Sequence, residues 1–166
     1  MSGWDIAITI INVVLAIISG FGAYKSIRYF KKSKHITIYA QTNKALGEIG
    51  EMLKLLPEAL EAASTNKKGY SPENTVRDKG SKLANHLNII MSAIPADYSE
   101  KLRELQKAGT FNLSQYMNSL IDGTAVVEEN GRKMLNRTSF DICQERLREM
   151  QEFLKKKIAE EEEKLK

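Results

Sequence analysis

Polar side chains recur at a regular spacing within the apolar N-terminal segment of the chain. No residue between Ile6 and Tyr24 is charged, and most are aliphatic, aromatic or glycine. The polar exceptions, with the small residues at the intervening steps, follow a heptad pattern. They are Asp5, Thr9, Asn12, Ala16, Ser19, Ala23 and Ser26. Such a stripe keeps facing a common axis when several helices coil around one another. Stacked rings of carboxylate, amide and hydroxyl groups would then line a wet path for ions.

The same stripe also fits close helix packing without a pore. Small residues four positions apart, such as Ser19 and Ala23, let transmembrane helices approach each other closely. Asn12 would then bond to its own copy in a neighbouring helix. Both interpretations predict a homo-oligomer, for which we expect a tetramer. In the pore interpretation Asp5 forms an outer carboxylate ring that favours cations.

The segment that carries the stripe is predicted to cross a membrane once. At about 1.5 Å per residue, the run from Trp4 to Tyr24 spans about 30 Å, the thickness of a bilayer's hydrocarbon core. Basic residues cluster behind it, between Lys25 and Lys34, and none stands in front of it. Short basic flanks stay in the cytoplasm, so we expect an outside N-terminus. A cleaved signal peptide fits less well, because it needs positive charge ahead of a shorter apolar run.

Net charge locates the basic character of the chain. The whole chain has a formal net charge of +4. Residues 1–34 contain one acidic and five basic side chains, which also gives +4, so residues 35–166 sum to zero. The basic flank suits anionic lipid head groups, and the overall charge does not indicate a nucleic-acid-binding domain. We therefore divide the chain into a transmembrane helix with its basic flank, residues 1–34, and a cytosolic regulatory domain, residues 35–166.

Apolar periodicity predicts that the cytosolic domain is an all-α bundle of about five helices. The first carries a stripe of Leu46, Ile49, Leu53, Leu56, Leu60 and Ala63, with Pro57 expected to kink or restart it. Further helices are predicted over 76–94, 96–107 and 113–121, the last of them capped by Thr110 or Asn112. A final helix is predicted from about 139 onward, with a stripe of Phe140, Cys143, Leu147, Met150, Leu154 and Ile158. Residues 34–39 fit either a continuous helix or a break. Residues 122–138 favour a helix with a turn, with a hairpin at Asn130-Gly131 as the alternative. The charged end, 155–166, is typical of a solvated or frayed helix or of a coiled-coil extension.

Catalytic and metal-binding patterns are not found in the sequence. It contains no Gly-rich phosphate loop, no HExxH and no paired cysteines. The single cysteine, Cys143, falls on an apolar stripe and is expected to be a core thiol. His35 and His86 lack ligand partners at metal-binding spacing, and we expect His35 at the membrane surface. The sequence predicts a protein that is not an enzyme and needs no cofactor.

Two groups of basic residues in the cytosolic domain are candidate binding sites for an anionic ligand. They are Lys67, Lys68, Arg77, Lys79 and Lys82, and Arg132, Lys133 and Arg137. Repeated in an oligomer, such groups could neutralise the phosphates of a nucleotide or a single-stranded oligonucleotide. Neighbouring acids, including Glu73, Asp78 and Glu128, also permit the simpler interpretation of balanced, solvated helix faces.

The layout of the chain resembles the small membrane effectors of bacterial antiphage systems. The resemblance rests on a single N-terminal membrane helix, an outside terminus, a basic flank and a compact helical cytosolic domain. Among these proteins the channel subunit of Hailong-type systems is similar in kind. The resemblance implies a bacterial inner-membrane protein with a homo-oligomeric pore that a nucleotide or oligonucleotide controls. Layout does not by itself determine function.

The polar stripe and the domain layout predict a homo-oligomeric membrane channel gated through its cytosolic domain, and the resemblance implies a role in antiphage defence. Ala16 and Ala23 would keep the path narrow, and Ser26 would mark its inner mouth. The alternative is a membrane-tethered adaptor or scaffold, whose helical domain binds a partner protein and whose anchor only localises it.

Overall fold

A computed structural model describes the backbone of residues 3–64, 72–129 and 132–165, and the side chains of 15–64, 73–128 and 134–165. The described chain is mostly helical, which confirms the all-α prediction. Its helices are α1 (Gly3–Ser64), α2 (Pro72–Ala93), α3 (Ala96–Leu105), α4 (Leu113–Asp122) and α5 (Arg137–Leu165). Two short antiparallel hairpins join them: β1 (Lys107–Ala108) with β2 (Phe111–Asn112), and β3 (Val126–Glu129) with β4 (Arg132–Leu135).

Helix α1 runs without interruption from the predicted membrane segment into the domain. It is 62 residues long, so it extends for about 90 Å. Residues 34–39, which the sequence left open, are helical. The expected restart at Pro57 is wrong, because Pro57 lies inside the helix. Proline removes only one backbone hydrogen bond, and the buried neighbours Leu56 and Ala59 hold the helix on both sides.

The core lies where the second half of α1 packs against α2 and α5. On α1 the fully buried positions include Ala45, Ile49, Met52, Leu56 and Ala59. The predicted stripe is therefore shifted, because Leu46, Leu53 and Leu60 lie only at the margin of the core. Small alanines on the inner face allow a close approach of the neighbouring helices, while the bulky leucines cover the edges of the contact.

Helix α2 meets α4 at a point where there is no room for a side chain. A Cβ atom built on Gly80 would lie 2.7 Å from the Cβ of Leu120 and 3.2 Å from the backbone nitrogen of Ile121. Glycine therefore permits this close approach of the two helices. The contact is extended by Arg77, whose Nε donates a hydrogen bond of 2.9 Å to the carbonyl oxygen of Ile121, in the last turn of α4.

The connection from α3 to α4 is a tight hairpin. Gly109 adopts a left-handed φ of 58° between β1 and β2. Asn112 then caps α4, since its Oδ1 accepts hydrogen bonds from the backbone nitrogens of Ser114 and Gln115. This confirms the sequence-based alternative in which Asn112 begins the fourth helix. Gly123 ends α4 with a φ of 85°, the left-handed conformation of many helix C-termini.

The helical interpretation of residues 122–138 is wrong. Val126 pairs with Leu135, and Glu129 with Arg132, in the antiparallel ladder of β3 and β4. Residues Asn130 and Gly131 lie outside the described part of the chain. The left-handed Gly123 stops α4, and β-branched residues Val126 and Val127 favour the strand that follows.

Helix α5 follows its predicted stripe. Phe140, Cys143, Leu147, Met150 and Leu154 are all buried. The helix begins two residues before the predicted start. Asn136 caps it, because its Oδ1 accepts a hydrogen bond of 3.0 Å from the backbone nitrogen of Ser139. The predicted apolar face of this helix is thus confirmed.

The thiol of Cys143 is expected to be unreactive in the folded protein. It is completely buried, and this burial raises its pKa, so both access and the thiolate fraction are low. Treatment of the native protein with an aromatic disulfide reagent should modify less than about a tenth of the thiol at pH 8, and unfolding in urea should release one thiol per chain. Rapid modification before unfolding would contradict the packing of α5.

Candidate functional site

The first half of α1 projects away from the bundle with its apolar side chains uncovered. Every residue from 15 to 34 is exposed. Among the large side chains, Ile18 is 62% exposed, Phe21 65% and Phe30 73%. Leaving such a side chain in water gives up about 1.5–3 kcal/mol each relative to burial. Contiguous apolar surface of this kind marks contact with lipid or with another protein chain.

Among the residues whose side chains are described, no helix contains a stretch long and apolar enough to cross a membrane. Only residues 15–24 of the predicted span, 4–24, belong to that part of the chain. The transmembrane helix therefore stays a prediction.

The predicted pore-lining residues divide in the same way. The backbone of α1 is helical from Gly3, but the side chains of Asp5, Thr9 and Asn12 lie outside the described residues. The other four, Ala16, Ser19, Ala23 and Ser26, are exposed on α1. At 100° per residue they fall within an arc of about 80°, and Ile17 and Phe21 point to the opposite side. The helix thus presents a small, polar strip and a broad apolar face.

A buried carboxylate lies where α1 leaves the bundle. Glu161, near the end of α5, is 1% exposed. Its Oε2 lies 2.7 Å from Nδ1 of His35 on α1. Its Oε1 accepts hydrogen bonds from the hydroxyl of Tyr98 on α3, at 3.2 Å, and from Nζ of Lys164, at 2.6 Å. We call these four residues the α1-root cluster. It ties three helices together at one level of α1.

The protonation of the α1-root cluster follows from its contacts. Burial acts to raise the pKa of Glu161, but the hydrogen bonds from Lys164, His35 and Tyr98 together hold it below its ordinary value. Burial, with the charge of Glu161, raises the pKa of Tyr98 to about 12. Glu161 is therefore an ionised acceptor and Tyr98 a neutral donor at neutral pH. A second contact nearby, from the hydroxyl of Tyr39 to Oε1 of Glu162 at 3.1 Å, is exposed.

The sequence does not predict the α1-root cluster. The charge pattern of 155–166 favours a solvated or frayed end or a coiled-coil extension, whereas α5 continues to Leu165 and buries Glu161. The location of His35 at the membrane surface stays a prediction, and His35 is also a partner of the Glu161 carboxylate. One acid within a run of glutamates carries no sequence signal of burial, because its partners on α1 and α3 are distant in the chain.

The basic groups predicted to bind an anion are engaged elsewhere where they are described. Lys79 forms an ion pair with Glu58 of α1, and Lys82 with Asp78 within α2 at 2.7 Å. Arg137 is paired with Asp141 at 3.3 Å. The side chains of Lys67, Lys68, Arg132 and Lys133 lie outside the described residues. Arg77 lies on the side of α2 away from Lys79, because residues two positions apart in a helix point about 200° away from each other.

The surroundings of Arg77 are acidic rather than basic. It lines a cavity of about 330 Å³ together with the carboxylates Glu73, Asp122 and Glu128. Its guanidinium is already held by the end of α4. Arg77, Lys79 and Lys82 therefore do not converge on one anion site within a single chain.

Metal binding has no support among the described residues. They include no group of three or more His, Cys, Asp or Glu side chains placed to hold a metal ion. His86, the second histidine, instead lies 2.5 Å from Oε2 of Glu48, linking α2 to α1.

Comparison with known proteins does not assign the chain to a family. No protein-family model, no curated protein and no solved structure matches this chain. Arguments about its function therefore rest on its own residues.

Proposed function

We propose that the protein is a homo-oligomeric, single-pass membrane channel whose helical domain controls the pore. The proposal rests on one observation about α1. Its first half exposes apolar side chains, while its second half, in the same unbroken helix, forms the centre of the core. Such a helix needs an apolar surrounding for residues 15–24 and water for the domain. A bilayer supplies both. The uncharged run from Ile6 to Tyr24 extends the apolar part to the length that a bilayer requires.

Self-association follows from the polar strip on the same helix. Polar groups in hydrocarbon are costly unless they meet partners or water. Copies of α1 arranged around an axis would turn Asn12 and Ser19 away from lipid and the opposite apolar side towards it. The strip then forms the wall of a narrow ion path, with Asp5 at its outer end. We expect four copies.

Control by the domain is supported by the continuity of α1. Gly3 and Ser64 belong to one helix, so no loop separates the predicted pore segment from the core. The α1-root cluster fixes the orientation of α5 and α3 against α1 next to the basic flank. A change in packing between these helices would therefore reach the pore as a rotation or tilt of α1.

The ligand class and the biological setting in this proposal come from the resemblance in layout. They are a nucleotide or oligonucleotide as the gating ligand, and antiphage defence in a bacterial inner membrane. The second candidate is a tethered adaptor for a partner protein. In it the exposed part of α1 is also a membrane anchor, but the polar strip has no role. The two are separated by whether the strip conducts ions.

The test is ion current through planar bilayers from the purified full-length protein and its Asn12→Leu variant, each with and without short oligonucleotides. We expect discrete conductance from the wild type and at least about a tenfold loss in Asn12→Leu, because a leucine ring replaces a polar ring by an apolar constriction. Val14→Leu is the matched control. Position 14 is about 200° around the helix from position 12, on the side away from the strip, so this variant should conduct normally.

Each result has a definite meaning. Loss in Asn12→Leu with conductance retained in Val14→Leu supports a pore lined by the strip. Equal conductance in all three proteins contradicts that lining. Silence of the wild type under every condition, with the oligomer intact in detergent, favours the tethered adaptor and assigns the strip to helix packing.

A further inference from the structure

Four basic side chains share one face of α1 just after its exposed apolar residues. They are Lys25, Arg28, Lys31 and Lys32, and all four are exposed. At 100° per residue they fall within an arc of about 120° around the helix. We call these four residues the α1 basic face. The fifth basic residue of the flank, Lys34, lies outside this arc.

The α1 basic face lies on the side of the helix away from the polar strip. The centre of its arc is about 160° around the axis from the centre of the arc that holds Ala16, Ser19, Ala23 and Ser26. On the strip side the positions that follow are Phe30 and Lys34. A helix that turns its polar strip towards neighbouring copies therefore turns the α1 basic face outwards.

The charge of the α1 basic face is not compensated by acids of the chain. The sequence has no Asp or Glu over residues 6–47. Among the described residues, none of the four basic side chains has an ion-pair or hydrogen-bond partner. In the bundle, by contrast, Lys54 pairs with Glu51 at 2.7 Å and Lys155 with Glu152 at 2.8 Å. A group of exposed cations without acids attracts an anion from outside the chain.

The place of the α1 basic face along the helix restricts the kind of anion. It directly follows residues 15–24, whose exposed apolar side chains require an apolar surrounding. Residues 25–32 extend for about 10 Å along α1, and a layer of lipid head groups is about 5–8 Å deep. Helical side chains lean towards the N-terminus, so long side chains at 31 and 32 reach back into that layer. The phosphates of lipid head groups therefore lie within reach of the whole face.

Two exposed tyrosines accompany the basic residues. Tyr24 lies within the arc of the α1 basic face, and Tyr29 lies about 40° beyond its edge. A tyrosine ring favours the boundary between hydrocarbon and head groups, and its hydroxyl can donate a hydrogen bond to a phosphate oxygen. The tyrosines thus add a preference for the membrane interface that a soluble anion would not use.

We propose that the α1 basic face binds the phosphates of anionic phospholipids in the leaflet next to the domain, and so keeps α1 rotated with its polar strip away from lipid. Phosphatidylcholine also has a phosphate, but its own ammonium group cancels the charge. Uncompensated cations therefore favour phosphatidylglycerol. The lipid contact stands on exposed charge alone, whereas its role in orienting the strip rests on the proposed function.

The test is electron spin resonance of the full-length protein in phosphatidylcholine vesicles with a trace of spin-labelled lipid. It measures the fraction of label whose motion the protein restricts, with either phosphatidylglycerol or phosphatidylcholine as the labelled lipid. We expect a preference for phosphatidylglycerol of about threefold or more, which 1 M salt should largely remove. The triple variant Lys25→Gln/Arg28→Gln/Lys32→Gln should lose at least about half of that preference.

A matched pair of single variants separates the face from the total charge. Lys32→Gln and Lys34→Gln remove the same charge at positions about 3 Å apart along the axis but about 200° apart around it. Lys32→Gln should lower the preference for phosphatidylglycerol about twofold, whereas Lys34→Gln should leave it within about a tenth of the wild type. Equal effects of the two variants would show that the charge acts without direction, and would overturn the assignment.

The remaining outcomes separate the lipid contact from the channel. A wild type without a preference, or a preference that survives 1 M salt, overturns the lipid contact even if the protein conducts. A preference that follows the α1 basic face in a protein without conductance refutes the channel and leaves the lipid contact intact. If the wild type conducts, the triple variant should conduct less, and unchanged current would refute the orienting role. Absence of any restricted lipid would contradict both the contact and the membrane segment.

Discussion

Replacing Gly80 by alanine is expected to lower the free energy of unfolding by about 1–3 kcal/mol. The added Cβ would lie 2.7 Å from Leu120 Cβ and 3.2 Å from the backbone of Ile121. Backbone atoms cannot turn aside as the end of a flexible side chain can, so α2 and α4 must separate. Urea unfolding of the full-length protein in detergent, followed by far-ultraviolet circular dichroism, measures the change.

Gly47 provides a control in which the same substitution should change the free energy of unfolding in the opposite direction. It lies inside α1, is exposed, and has no atom within 4 Å of the position that a Cβ would take. Gly47→Ala should therefore raise the free energy of unfolding by about 0.5–1 kcal/mol, because alanine loses less backbone entropy in a helix. A stabilised Gly80→Ala, or two variants that change in the same direction, would contradict the close contact of α2 and α4.

Loss of the buried charge in the α1-root cluster should produce the second large effect. Glu161→Gln is expected to lower the free energy of unfolding at pH 7 by about 1–3 kcal/mol. The amide keeps the size of the carboxylate but loses the charge that His35 and Lys164 contact. We expect a smaller loss of unfolding free energy than for a fully buried ion pair, because the side chains of His35 and Lys164 are 31% and 50% exposed.

The same substitution should remove part of the acid sensitivity of the protein. Because the pKa of Glu161 is lower in the folded chain than its ordinary value of 4.5, the folded state binds this proton more weakly than the unfolded state. The stabilisation is fully present above that ordinary value and is lost as the pH falls through the folded pKa. The difference between wild type and Glu161→Gln in the free energy of unfolding should therefore shrink as the pH falls below 4.5.

Glu162→Gln is the matched control for this position. Its neighbour in sequence is buried, but Glu162 is exposed and its contact with Tyr39 is exposed as well. The change should be within about 0.5 kcal/mol at either pH. Equal losses at positions 161 and 162 would show that the cluster contributes no more than general surface charge.

Much of the helical framework could be predicted from the sequence, because long apolar stripes are local signals. The stripe of α5 from Phe140 to Leu154 is buried as its spacing predicts. The end of α2 follows from Pro95, which disfavours helix in the residue before it. The start of α4 follows from Asn112, whose side chain caps the helix. These features depend on neighbours within one or two turns.

The errors arise where the decisive contact is distant in the chain. The predicted core face of α1 was placed along its leucines. In the structure Ala45 and Ala59 are buried there instead, because close helix packing favours small residues. Val126 and Leu135 became a strand pair although each segment alone also favours a helix. Pairing partners and packing partners set these outcomes, and neither is visible in a local pattern.

The candidate sites show the same division. The polar strip of α1 could be read from the sequence because its residues lie on one helix. The α1-root cluster could not, because its members come from three different helices. Glu161 was hidden among other acids, and only the fold distinguishes it by burial.

The unbroken course of α1 also restricts how this protein can vary in length. Each residue inserted or deleted between the predicted membrane segment and the bundle turns one relative to the other by about 100° and moves it by about 1.5 Å. A single insertion would therefore point the polar strip at a different neighbour while the domain stayed in place. Changes of seven or eleven residues nearly restore the angle. Related chains with other spacings should consequently differ between these two parts of α1 by numbers of residues close to whole helical turns.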